Sequence, residues 1–74
     1  MKVRVNWKQG KIASDRLVRV HKILDRQPAL CQFEKMEEYN DFSNEKEAKE
    51  AIKSRGYSKY KRCAYCWDGA VVEI

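Results

Sequence analysis

The sequence predicts an α+β fold, a small antiparallel β-sheet with one α-helix packed on it, and three observations carry the prediction. Residues 2 to 8 alternate strictly, with Val3, Val5 and Trp7 on one face and Lys2, Arg4, Asn6 and Lys8 on the other, the pattern of a half-buried strand. Residues 44 to 55 form one well-signalled helix. Just beyond it comes Cys63-Ala64-Tyr65-Cys66, a C-x-x-C knuckle that turns two thiols toward one point. Cys31 and His21 complete the chain's entire stock of sulfhydryl and imidazole groups. Four such donors are what a closed tetrahedral zinc site requires, so the sheet is expected to be zinc-stabilised and of zinc-ribbon or treble-clef size.

Size makes such a centre useful. A chain of 74 residues reads as a single domain, residues 1 to 74, and a domain of this size buries only about 60 to 65 % of its unfolded surface. Structural zinc contributes on the order of 10 kcal/mol of folding free energy to such a domain. Three cysteines leave one thiol over in any disulfide scheme, so a reducing, cytoplasmic setting is expected. Met1-Lys2 leads straight into the alternating strand; no apolar run reads as a signal peptide or a membrane span.

Taken in order, the first strand is expected to turn at Gln9-Gly10, with Gly10 supplying a positive φ, and to return as a strand through Ile12-Ala13. Leu17 to Leu24, rich in β-branched residues, is the strongest strand; Leu17, Arg19, His21 and Ile23 share one face, and Val18, Val20, Lys22 and Leu24 the other. Pro28 ends a break after which Cys31 can be aimed back at His21. A loop then precedes a strand at Glu38 to Phe42. Asn44 or Ser43 caps the helix, Glu47 stands at the capping-box distance from Asn44, and Phe42 is placed as a hydrophobic staple. Ala48, Ala51, Ile52 and Arg55 trace one side of the helix, which Gly56 ends. Tyr57 to Arg62 reads as a basic connection, Asp68-Gly69 as a turn and residues 70 to 74 as a terminal strand, so that segments near 2 to 8, 16 to 24 and 70 to 74 make the sheet.

The expected ligands of one zinc per chain are His21, Cys31, Cys63 and Cys66. Two other readings of the cysteines stay open: an iron–sulfur cluster, which takes the same ligands, and a dithiol exchanging a disulfide between Cys63 and Cys66, favoured by the neighbouring Lys61 and Arg62. No βαβ pattern places the pair at a helix N-terminus, as the redox reading would want. With all four positions filled by protein, zinc would keep no site for water, and no glycine-rich phosphate loop or paired carboxylates are found. No enzyme, membrane or small-molecule role is expected.

Charge directs the functional reading. The net charge is +5, but residues 1 to 26 carry eight Lys/Arg against Asp15 and Asp25, residues 34 to 50 carry seven acids against three lysines, and residues 53 to 62 carry five bases and no acid. Lys53, Arg55, Lys59, Lys61 and Arg62 can neutralise phosphates, and Tyr57 and Tyr60 can stack on bases or fill the core. The expected function is a zinc-held nucleic-acid-binding module, for DNA or RNA. The alternative is a protein-interaction module, a small regulator or inhibitor using the acidic block from Glu34 to Glu50 or an open sheet edge.

Phe42-Ser43, Glu47-Ala48, Gly56-Tyr57 and Cys63-x-x-Cys66 together resemble the second half of the zinc-binding domain of the Ada DNA-repair protein, over about a third of the chain. In that family four cysteines bind zinc, one of them accepts a methyl group from a DNA phosphotriester, and the domain contacts the DNA backbone. The resemblance implies a zinc-bound β/α domain in contact with nucleic acid. It does not carry methyl transfer, because His21 and Cys31 stand where the family has two close cysteines, and Lys61-Arg62 stand where it has Arg-Pro before the knuckle. The ligand order is also similar to that of small uncharacterised bacterial and phage zinc proteins.

Overall fold

The computed structural model describes residues 1–74. The alternating N-terminal stretch forms β1 (Val3–Asn6), the central strand of its half of the sheet, with β2 (Arg19–Lys22) on one side and β3 (Tyr39–Phe42) on the other, both antiparallel to it. β4 (Lys59–Arg62) lies beyond β2, and β5 (Val71–Glu73) pairs with β4 at the edge, giving the order β3-β1-β2-β4-β5. This is the expected α+β fold with a helix on a sheet. The sheet is larger than expected and mixed rather than wholly antiparallel, because β4 runs parallel to β2. The basic connection expected at residues 57 to 62 is therefore mostly strand. What makes it one is Tyr60, whose side chain is buried between bases that hide the pattern.

The expected hairpin return at Ile12-Ala13 does not form. Residues Gln9–Ile12 instead make a one-turn helix, α1, and β1 finds its partners further along the chain. Gly10 is needed for space rather than for a positive φ. A Cβ there would lie 2.7 Å from both the Tyr57 hydroxyl and Val18 Cγ1.

The second helix, α2 (Glu45–Ser54), starts as its caps dictate: Asn44 Oδ1 accepts the Glu47 N–H at 2.9 Å, and Glu47 reaches back to the Ser43 N–H. Gly56, at φ +93°, ends it in the left-handed conformation that favours glycine. Ala48 and Ile52 are buried against β1 and β3, and join Val3, Val5, Trp7, Val18, Val20 and Tyr60 in one apolar cluster on a single face of the sheet. Alanine at position 48 lets the helix backbone approach closely. No helix is long and apolar enough to cross a membrane.

The opposite face is built from the other residues of the same alternation. Arg4 stands opposite His21 in the register of β1 and β2, Asn6 stands opposite Arg19, and Arg19 stands beside Lys61 of β4. Two 3₁₀ turns, Ala29–Cys31 and Phe33–Lys35, cover this face, joined at Gln32 in a left-handed conformation. Polar residues, not an apolar stripe, are what this cover packs against.

Candidate metal centre

Three segments converge on one point of the polar face. β2 supplies His21, whose neighbours Val20 and Lys22 alternate away from it. The first 3₁₀ turn, entered through Pro28, supplies Cys31. The parallel pairing of β2 with β4 brings in the knuckle: Lys61 donates its N–H to Val18 O at 3.0 Å, and Cys63 donates to Val20 O at 2.9 Å, which sets Cys63 next to His21. Cys66 follows one turn later.

The donor atoms of His21, Cys31, Cys63 and Cys66 all lie within 4.8 Å of one another. Cys31 Sγ and Cys63 Sγ are 3.8 Å apart, and Cys66 Sγ is 3.8 Å from His21 Nδ1. A disulfide would hold two sulfurs at about 2.0 Å, whereas two thiolates on one tetrahedral zinc, each about 2.3 Å from the metal, stand about 3.8 Å apart. The four side chains can hold a metal ion. His21, Cys31 and Cys63 are buried, and Cys66 is partly exposed as a residue while its sulfur joins the group.

Hydrogen bonds favour the anionic form of every sulfur. The Lys22 N–H points to Cys66 Sγ at 3.3 Å, the Tyr65 N–H to Cys63 Sγ at 3.4 Å, and Gln27 Nε2 to Cys31 Sγ at 3.6 Å. Such donors drain charge from metal-bound thiolates and fix their orientation. Gln27 has no signal in the sequence, yet it locks the loop between β2 and Cys31: its Nε2 also donates to Lys22 O, and its Oε1 accepts the Leu24 N–H, both at 2.9 Å.

Without a cation these groups sit uneasily. Burial pushes the Cys66 thiol up to about 12, an effect that the Lys22 N–H reduces and the Cys63 sulfur adds to. Burial likewise raises Cys31, against the bond from Gln27. Burial, then the positive charges of Arg19 and Arg4, depress His21 to about 4, so its imidazole is neutral and one ring nitrogen is available as a ligand. A divalent cation reverses the logic for the thiols, deprotonating them outright.

The His21 ring is held from behind. Phe33 meets it edge to face, with centroids 5.5 Å apart, and the Arg4 guanidinium covers the Phe33 and Tyr39 rings at 4.5 and 4.1 Å. Asp41 fixes Arg4 by a two-pronged ion pair at 2.7 and 3.0 Å. One chain of contacts thus runs from β3 through β1 to the imidazole.

The residues expected to contact nucleic acid separate into two sets. Tyr60 is in the core, its hydroxyl donating to Glu45, and Tyr57 packs partly buried against the same cluster. Arg62 grips Glu45 through Nε at 2.9 Å and Nη2 at 3.0 Å, holds Asp68 at 3.0 Å and covers the Trp67 ring. Burial pushes the Glu45 carboxyl up, but the bonds from Arg62 and Tyr60 outweigh it and leave the group below the usual range. Arg55 lies over Trp7 at 3.9 Å. All four side chains are engaged by other groups of the chain. Lys53, Lys59 and Lys61 form no ion pair.

Fold and site together define a small α+β domain with a His/Cys cluster able to hold a metal ion at the junction of its sheet and its covering loops. Comparison with protein-family models, with curated proteins and with solved structures finds no match to this chain.

Proposed function

We propose that this chain is a zinc-held nucleic-acid-binding module, with one structural zinc on His21, Cys31, Cys63 and Cys66. The spacing of the four donors supports the zinc, since it is that of a tetrahedral thiolate site. A role in chemistry is not proposed, because protein donors fill every position of such an ion. The resemblance of residues 42 to 66 to the zinc-binding domain of the Ada DNA-repair protein points the same way.

One observation carries the nucleic-acid half of the reading. Lys59 and Lys61 project from the same face of β4 and form no ion pair, and Tyr65, exposed in the knuckle, lies four residues beyond Lys61. Uncommitted cations beside an exposed aromatic ring fit a phosphate backbone with unstacked bases. Lys53, exposed on α2 and also without an ion pair, adds a separate cation. Reversing Lys53, Lys59 and Lys61 to glutamate is expected to abolish binding to single- or double-stranded DNA and RNA while metal content is unchanged. Affinity of the unaltered chain is expected to fall steeply with salt, and strand binding that is insensitive to salt and to these reversals would overturn the reading.

A second reading, a protein-interaction module, is favoured by β5. This edge strand pairs only with β4 and leaves Val71 53 % and Ile74 37 % exposed. An open apolar edge accepts an added strand from a partner. The acidic block is the weaker candidate, since Glu37, Glu38, Asp41 and Glu45 are in ion pairs within the chain.

A further inference from the structure

A cavity of about 510 Å³ opens on the polar face, between the sheet, the 3₁₀ cover and the knuckle, with His21, Cys31 and Cys63 in its wall. Its volume is within the usual range for small-molecule sites, roughly 300 to 1,000 Å³. The metal cluster accounts for only one corner. Four further side chains decide what the remainder can hold.

Two are cations without partners. Lys8 and Arg19 also line the cavity, but Glu37 holds Lys8 at 3.3 Å, and Asp15 holds Arg19 at 3.0 and 3.2 Å. Lys35 and Lys61, from the 3₁₀ cover and from β4, form no ion pair. The third is Asn6. It is 9 % exposed, it lines the cavity, and its Oδ1 is the one buried side-chain oxygen or nitrogen in the molecule without a hydrogen-bond partner. Buried polar groups are nearly always satisfied, and an orphan beside a cavity marks a place for a ligand group. The fourth is Tyr65, 60 % exposed on the cavity wall.

We propose that this cavity binds one nucleotide bearing a phosphomonoester, either free or as the phosphorylated end of a strand. The doubly ionised phosphate is received by Lys35 and Lys61, the base lies against Tyr65, and a base N–H reaches toward the orphan carboxamide of Asn6. A phosphodiester within a strand carries one negative charge where a phosphomonoester carries nearly two, so a pair of unpaired lysines favours the phosphorylated end. The inference rests on the nucleic-acid reading for the identity of the ligand, while its geometry is independent of it. Lys35 and Asn6 belong to the cavity alone.

The test titrates the zinc-loaded full chain with one labelled oligonucleotide in phosphorylated and hydroxyl-ended forms, and with adenosine monophosphate and inorganic phosphate. The phosphorylated end is expected to bind about tenfold or more tightly than the hydroxyl end, the gain of a charge-assisted contact. Lys35→Glu is expected to erase that preference and leave the hydroxyl-ended strand unaffected, and Asn6→Leu to weaken adenosine monophosphate and the phosphorylated end while the preference remains; zinc content and thermal midpoint show that both variants fold. Equal binding of the two ends, unchanged by Lys35→Glu, would overturn the cavity inference and leave the strand-binding reading intact. Binding of adenosine monophosphate with no strand binding would support the cavity and overturn the strand-binding reading. No binding of any probe would overturn both.

Discussion

The two faces of the sheet are held by different physics. On the helix side Val3, Val5, Val18, Val20, Ala48 and Ile52 are wholly buried, and Trp7 and Tyr60 nearly so. That face needs nothing but water to assemble it. On the other side β1 and β2 present Arg4, Asn6, Arg19 and His21, and the cover that lies on them has Leu30 64 % exposed and contributes only Cys31 as a buried residue. Little apolar area is removed from water there. The cover is held chiefly by its donors: apart from Cys31, it is tied to the rest of the chain by the Gln27 closure, by Phe33 against His21 and Arg4, and by ion pairs at the rim of Lys8 with Glu37 and Lys11 with Glu38. Exposed pairs of that kind add little, being screened by water and salt.

The largest break in this contrast is removal of the metal. Chelation, or Cys31→Ser, is expected to cost several kcal/mol, out of the on the order of 10 kcal/mol that structural zinc contributes. Hydrogen exchange localises the loss: amides of residues 28 to 36 and 63 to 67 are expected to lose protection first, before those of Val5, Val20 and Ile52. Simultaneous loss at all of them would erase the distinction between the faces.

Next in size is Ile52→Ala, which opens a cavity in the helix-side core and is expected to cost about 2 to 5 kcal/mol. If the faces are separately supported, this variant binds the metal with unchanged stoichiometry while its denaturation midpoint drops. Metal loss in parallel with stability would join the two faces again.

Acid sharpens the comparison from the polar side. His21 is depressed by burial and by Arg19 and Arg4 from an ordinary 6.5 to about 4, so the folded chain binds fewer protons there than the unfolded one. Its contribution is complete above pH 6.5 and is lost as pH falls from there toward 4. Protonation also competes with the metal for the same ring nitrogen. Loosening of the metal-free cover is therefore expected in this window, read by hydrogen exchange across pH; His21→Gln is expected to remove this part of the pH dependence.

The smallest effect is Asn44→Ala. It removes the cap of α2 and is expected to cost about 1 kcal/mol, with metal affinity unaltered.

What the sequence disclosed follows the same division. The helix-side face was legible because its signals are local: alternation at Val3, Val5 and Trp7, and the spacing of Asn44, Glu47, Ala48 and Ile52. The donors were legible as an inventory, because no other sulfhydryl or imidazole competes for the role. Their supports were not. Gln27 acts through a loop closure with no motif, and Arg4 acts through two aromatic rings and Asp41, 37 residues away. The parallel pairing of β2 with β4 is a long-range contact that periodicity does not encode. Arg62 looked like a surface residue and Tyr60 was open between a surface and the core, because charge surrounds them, but Glu45 of α2 draws both inward. Gly10 looked like a turn and is instead a gap that Tyr57 and Val18 fill.

Cobalt(II) titration of the reduced, metal-free chain tests the central claim most directly, because the ion reports its own geometry and ligands. An endpoint at one equivalent is expected, with the intense visible bands of tetrahedral cobalt and the ultraviolet charge transfer of three thiolates, the latter diminished in each single Cys→Ser variant. A weak octahedral spectrum with no endpoint, or an unchanged thiolate signal in Cys31→Ser, would contradict it.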